Sequence, residues 1–294
     1  MEGRQGSFSL DNVSLPIVLA VAVSAVSSAS ILAVLSGVPG PTASFWRMLI
    51  STLILLPTVR GGSRLGSGFY YAVGAGIALG VHMSSWFQSL FYASVAASTT
   101  IVCTHAVFAA LFMLPQGERP GISGVSGIAV SLIGVYLLSG GDPSTQPLGA
   151  ILALIGAISG GVYFALGRMV RKTGMNVASY VVVAYFTASL VSLSFSLLLR
   201  FPVLGFSLES WFYILLLALI PNSVGHTLLN YSLRRAKAST VAGSVLGEPV
   251  GATILAILFL GQYPPLRVYL YMAIVLVGLW LTIRDELRYP EETV

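Results

Sequence analysis

The chain is short of charge. Of its 294 residues, 9% are Asp, Glu, Lys or Arg and 56% are hydrophobic, where a soluble domain has about 25% charged residues. That little charge cannot cover a surface facing water, which excludes a soluble globular protein and leaves an all-α membrane protein as the class. Cysteine is nearly missing: Cys103 stands alone, inside an apolar run, so an intramolecular disulfide and a cysteine metal cluster are both excluded. Polar linkers are short (GVPGP at 37–41, GGSRLGSG at 61–68, QGERPG at 116–121, GGDPSTQP at 140–147), so no soluble domain is inserted. There is no phosphate-cradling P-loop, no His/Cys metal spacing and no G-x-S-x-G elbow. ATP-driven work is therefore unsupported, and no catalytic residue, cofactor or metal is expected. A net charge of +5 would suit nucleic acid. The basic residues sit instead in short loops between apolar runs, so the expected partners are the lipid bilayer and a small-molecule solute, with no nucleic acid and with the monomer as the unit.

What is present is apolar length. A helix needs about 20 apolar residues to cross a bilayer core. Ten such spans can be read, at roughly 14–36, 41–59, 69–91, 95–115, 123–139, 148–167, 177–199, 208–229, 238–260 and 265–283. The thirteen mostly polar residues ahead of the first span, and no cleavage site behind it, predict a retained helix rather than a signal peptide. Twelve Lys and Arg fall in the segments on the N-terminal side of the membrane and only Arg200 and Arg267 on the other. By the positive-inside rule both termini are cytoplasmic, in a multi-pass protein of the cell (plasma or inner) membrane.

The chain repeats itself. AASTT at 96–100 and KASTV at 237–241 open the fourth and ninth spans; GERPG at 117–121 and GQYPP at 261–265 close them; GVYLLS at 134–139 and GLWLTI at 278–283 occupy like places in the fifth and tenth. The halves are 14–139 and 148–283. Five spans per half is an odd number, so the second repeat is expected to be inverted, with a central cavity near the midplane between the two, an arrangement found in secondary transporters.

One carboxylate breaks the pattern of the ten. Nine lie in termini, loops or helix ends; Glu248 lies inside the ninth span, beside Pro249. A charge at bilayer depth costs at least about 2.5–3.5 kcal/mol, so it is expected to face a cavity or a partner. The proline frees a carbonyl on the turn before it. Ser239, Gly243, Gly247 and Gly251 recur every four residues on a neighbouring face, a seam for close helix packing.

These features together resemble the drug/metabolite transporter superfamily, in particular its EamA-type members. The second span, PTASFWRMLISTLILLP, is similar to that family's proline-then-arginine helix and puts Arg47 on its arginine. ALFMLPQGERP looks like its closing glycine-glutamate, here Gly117-Glu118, and EPVGATILAILFLGQ like its proline-containing ninth helix. Three positions depart: Gly261-Gln262 replaces a second glycine-glutamate, His105 stands where the fourth span would have its proline, and the seventh span has no arginine. The resemblance implies a ten-helix carrier whose cavity is walled largely by spans three, four, eight and nine, and which exports amino acids, metabolites or toxic organic compounds.

Several residues are candidates for that wall. Arg47 is the one cation inside a span: an anchor for a substrate carboxylate, or a side chain that snorkels to the near interface. Glu248 is a proton-coupling carboxylate, a ligand for a substrate ammonium, or a structural acid. Asn222, His226 and Asn230, four apart, make one polar stripe on the eighth span; His82, Ser85, Trp86 and Ser89 make another on the third, with Ser85 matching His226 and Ser89 matching Asn230 in the repeat. Such stripes are either interhelical glue or two walls of one cavity. His105 is a second proton-coupling candidate if it faces Glu248. Trp86, Tyr163, Tyr185 and Tyr231 supply aromatic faces. The expected function is a secondary membrane transporter for small organic solutes, amino acids or related metabolites, working by alternating access. Proton coupling and facilitated transport stay open, and the alternatives are an intramembrane enzyme on lipid-linked substrates and a passive channel.

Overall fold

The computed structural model describes residues 13–59, 66–116, 121–232, 235, 236, 241, 244, 245 and 247–288, with the side chains of 282, 283 and 285–288 left aside. Several sequence features lie outside these residues: Glu118 and its glycine, Ser239 and Gly243 of the ninth-span seam, and Arg4, Arg60, Arg64, Arg119, Arg234 and Lys237 of the charge count.

The described chain is helical, with no strand among the described residues. In order the helices are α1 (Leu15–Val26), α2 (Ala29–Ser36), α3 (Gly40–Leu55), α4 (Ser67–Ser89), α5 (Val95–Cys103), α6 (His105–Met113), α7 (Ile122–Gly141), α8 (Pro147–Lys172), α9 (Val177–Leu198), α10 (Leu208–Leu217), a π-helical stretch (Ala218–His226), α11 (Thr227–Ser232), α12 (Gly247–Leu260) and α13 (Leu266–Arg288). Among the described residues, six continuous or once-broken helices are long and apolar enough to cross a membrane: Leu15–Ser36, Val95–Gln116, Ile122–Gly141, Pro147–Lys172, Val177–Leu198 and Leu208–Ser232; Gly247–Leu260 and Leu266–Leu281 are shorter and apolar. Large apolar side chains such as Ile77, Leu132, Phe186 and Leu258 point outward, while Arg47, Asn222, Ser192 and Thr42 are buried. This inside-out distribution suits a lipid surround.

Among the described residues three helices are interrupted, each for a local reason. Between α1 and α2, Ser27 Oγ donates to Val23 O (2.9 Å) and Ser28 Oγ to Ala25 O (2.8 Å). Between α5 and α6, Thr104 Oγ1 donates to Ile101 O (2.6 Å). Such back-bonding competes with the backbone ladder and bends it. In the third case Pro221 lacks an N–H, and the chain widens into the π stretch, where Ser223 Oγ reaches back five residues to Ala218 O (2.7 Å). A further helix, α12, begins at Gly247, two residues before Pro249, an early-turn place that a proline tolerates.

Around these breaks the helices pair closely. α4 lies along α8 and α9, α3 along α9, α7 along α13, and α1–α2 along α10 and the π stretch. Polar side chains stitch them: Thr42 Oγ1 donates to Ser196 Oγ (3.1 Å), Ser44 and Ser192 share a bond of 2.9 Å, and Ser51 Oγ donates to Ala218 O (2.9 Å). Of the ninth-span seam, Gly247 and Gly251 do pack on α1, where a Cβ would meet Val23 Cγ1 at 3.1 Å and Ser27 Oγ at 2.7 Å respectively. A closer contact joins α7 and α13: a Cβ on Gly278 would sit 2.5 Å from the Ser131 backbone nitrogen. Gly278→Val therefore destabilises the fold by about 1–3 kcal/mol, an overpacking penalty the backbone cannot relieve. The measure is the thermal midpoint of purified protein, and an unchanged midpoint would show that the α7–α13 contact is looser than described.

Candidate functional site

The breaks converge. Val26 ends α1, His105 begins α6, His226 ends the π stretch and Glu248 is the second residue of α12. These four, with His82 and Trp86 of α4, Val102 of α5, Phe164 of α8, Leu229 of α11 and Val245, enclose one cavity of about 10 Å³, room for about one water molecule. Wider clefts occur at helix ends, such as one of about 330 Å³ lined by Gly66–Gly68 and Thr173–Asn176, but no set of titratable side chains converges on it.

Glu248 is buried, 5% exposed. Its carboxylate sits at the start of α12, where unpaired backbone N–H groups favour negative charge. The Cys103 thiol approaches its Oε2 at 3.8 Å, a weak contact. Three imidazoles share the space. His82 Nδ1 lies 2.7 Å from Gly156 O; a carbonyl only accepts, so this nitrogen holds the proton. The His82 and His105 ring centroids are 6.2 Å apart, and His105 also packs on Phe164 at 5.0 Å. The room for these rings comes from α8: a Cβ on Gly160 would lie 2.8 Å from His82 Nδ1 and 3.0 Å from His105 Cβ. Buried polar atoms with no hydrogen-bond partner cluster here, namely His105 Nδ1, His226 Nδ1 and Trp86 Nε1.

Arg47 lies behind this wall. It is fully buried; Nη2 donates to Asn222 Oδ1 at 3.0 Å and the guanidinium stands 5.1 Å over the Phe87 ring. The expectation that it snorkels to an interface is corrected: α3 packs against α9, α4 and the π stretch, so the side chain points into protein. Its Nε and Nη1, and Asn222 Nδ2, have no partner.

The two polar stripes are split by the packing. Of the eighth-span stripe only His226 lines the cavity. Asn222 goes to Arg47, and Asn230 closes a pair with Tyr163, donating to its hydroxyl at 2.6 Å and accepting from it at 3.0 Å. Of the third-span set, His82 and Trp86 line the cavity. Ser89 bonds across to Ser98 of α5 at 2.6 Å, and Ser85 is half-buried off the cavity. Ser85, Ser89, Tyr163, Asn222 and Asn230 therefore lie off this cavity, the last four bonded to neighbouring helices. Tyr185 likewise bonds Asn222 O at 3.4 Å, and Tyr231 is half-buried outside the lining. His105 and Glu248 line one cavity without a hydrogen bond between them. Sequence reading missed Phe164, Gly156, Gly160 and the Cys103 contact. The signal was the glycine run of GAISGG at 156–161, a smooth face that lets α4 and α6 come close.

Asn230→Ala breaks a neutral pair and should lower stability by about 1 kcal/mol while leaving solute affinity unchanged; a loss of affinity at full stability would return Asn230 to the wall.

Comparison with known proteins places the chain. The EamA-like transporter family matches it twice, over residues 13–140 and 147–284. A Clostridium kluyveri protein described as an uncharacterized transporter is 27% identical over 247 residues, 78% of this chain and 79% of that protein. A crystal structure of a protein 19% identical superposes with a TM-score of 0.67 over 93% of this chain and 98% of its own, a likeness of fold. With apolar helices long enough to cross a bilayer and a family match over both halves, this multi-pass membrane chain belongs to the EamA-like transporter family.

Proposed function

We propose that the protein is a secondary transporter of small organic solutes, amino acids or related metabolites, with its solute site at the cavity bounded by His82, Trp86, His105, Phe164, His226 and Glu248. The observation that carries this reading is the meeting of three interrupted helices and the start of α12 at one buried carboxylate. Broken helices leave backbone groups and dipole ends free where a solute binds, and irregular backbone at membrane depth is tolerated only around such a cavity. Ten spans in two inverted halves, 14–139 and 148–283, are part of the proposal. Supporting it, packing pairs exchange under the repeat: α1–α2 on α10 and the π stretch corresponds to α8 on α4, while α3 on α9, α5 on α12 and α7 on α13 map onto themselves. The first helix of each half also ends at a left-handed glycine, Gly37 (φ +63°) and Gly174 (φ +77°).

The cavity is too small for an amino acid as it stands, so solute entry requires the halves to move apart on one face or the other, which is alternating access. Export across the plasma membrane, with both termini cytoplasmic, is part of the proposal, and the placement of Lys and Arg supports the orientation. Counterflow in proteoliposomes tests the reading. A carrier shows saturation and trans-stimulation; a channel shows neither, and an enzyme on lipid-linked substrates would alter the solute. His226→Ala is expected to raise the half-saturating solute concentration about tenfold with folding intact. An unchanged value would move the site away from this cavity.

A further inference from the structure

Half of the residues lining the cavity carry rings, and the charged group among them is an acid. Trp86, Phe164 and the imidazoles of His82, His105 and His226 surround it, Glu248 supplies a carboxylate, and no Lys or Arg is among the lining residues. His82 commits Nδ1–H to Gly156 O, so its Nε2 retains a lone pair, an acceptor rather than a donor. The Arg47 guanidinium is outside the lining, with Nη2 on Asn222 and its plane over Phe87. Aromatic faces are negative and attract cations, the more so when water is excluded. A carboxylate, a lone pair and aromatic faces around one small space complement a group with N–H donors and positive charge.

From this geometry we infer that the cavity is an ammonium subsite: the solute group it recognises is a protonated amine, held between Glu248 and the rings of His82, Trp86 and Phe164, and a carboxylate on the solute is dispensable. The inference rests on the carrier reading for its biological use and narrows it from amino acids in general to amine-bearing solutes, including those with no acid group. Gly160 is a positioning residue for the subsite, since a Cβ there would crowd the His82 ring at 2.8 Å and His105 Cβ at 3.0 Å.

Three probes with one skeleton separate the possibilities: phenethylamine, 3-phenylpropionate and phenylalanine, titrated calorimetrically into the purified full chain. Phenethylamine and phenylalanine are expected to bind, with 3-phenylpropionate weaker by at least about tenfold, and Glu248→Gln is expected to remove the preference. The ranking on the unmodified protein stands alone should that variant not fold. Binding of the acid as tightly as the amine, or of none of the three, overturns the subsite. Counterflow with the same probes keeps the two readings apart. Exchange without amine preference rejects the subsite and leaves the carrier; amine binding without exchange rejects the carrier and leaves the subsite.

Discussion

Glu248→Gln lowers solute exchange in proteoliposomes by roughly tenfold to a hundredfold and removes its response to a pH step. The reason is local. Glu248 is the one acid on the cavity, it sits among rings rather than beside a cation, and its described side-chain contact is a thiol at 3.8 Å. Gln keeps the size and the hydrogen-bonding capacity but neither binds a proton nor balances a positive charge, and a charged hydrogen bond lost in a buried site is worth about 1.5–3 kcal/mol. Because the carboxylate occupies the first turn of α12 and makes few contacts, the variant should fold with a thermal midpoint close to the parent's. Exchange that is intact and still pH-responsive would remove Glu248 from the coupling step.

Arg47→Met destabilises the protein by about 2–3 kcal/mol, through the partner it abandons. Asn222 Oδ1 is fully buried and the Arg47 nitrogen at 3.0 Å is its hydrogen-bond donor; Asn222 Nδ2 is already unpaired. Removing the guanidinium strands the whole amide. The double variant Arg47→Met with Asn222→Leu removes both ends of the bond and should recover most of the loss, since two apolar groups of matching shape satisfy a buried space that one orphaned amide does not. Additive losses in the double variant would show that the two residues are stabilised independently and that the bond is incidental. The energetic argument also bears on function. Two buried guanidinium nitrogens have no protein hydrogen-bond partner, a cost that evolution tolerates mainly at working sites.

Much of the fold was legible from composition and periodicity. The apolar runs at 95–115, 123–139 and 177–199 correspond to Val95–Gln116, Ile122–Gly141 and Val177–Leu198 within a few residues, because a bilayer-length helix leaves a long, unambiguous signal. The singular placement of Glu248 could be read, since an acid in an apolar span has few places to go, and the structure places it in a protein-lined cavity. Less could be read at Arg47, whose distance from its helix end suggested an interface. Which face of α3 meets the π stretch is a long-range fact, and Asn222 is 175 residues away. The stripe of Asn222, His226 and Asn230 shows the same limit. Spacing placed them on one face but not which neighbours that face meets: Pro221 opens the helix into a π stretch, and the three side chains end on Arg47, on the cavity and on Tyr163. Phe164 was hidden for a different reason. It is an ordinary apolar side chain in a largely apolar helix, and the room for other helices' rings there is made by glycines.

The central claim is that the space beside Glu248 opens to the two faces of the membrane in turn. Cys103, the one cysteine of the chain, reports on it without any engineered change, since its sulfur lies 3.8 Å from the Glu248 carboxylate. In vesicles of a single orientation, a membrane-impermeant methanethiosulfonate is supplied from outside or trapped inside, and the rate of Cys103 modification is followed from each face. Alternation predicts reaction from both faces, with a reversed pH gradient moving the two rates in opposite directions. Rates that rise and fall together, or a thiol reached from neither face, would contradict it.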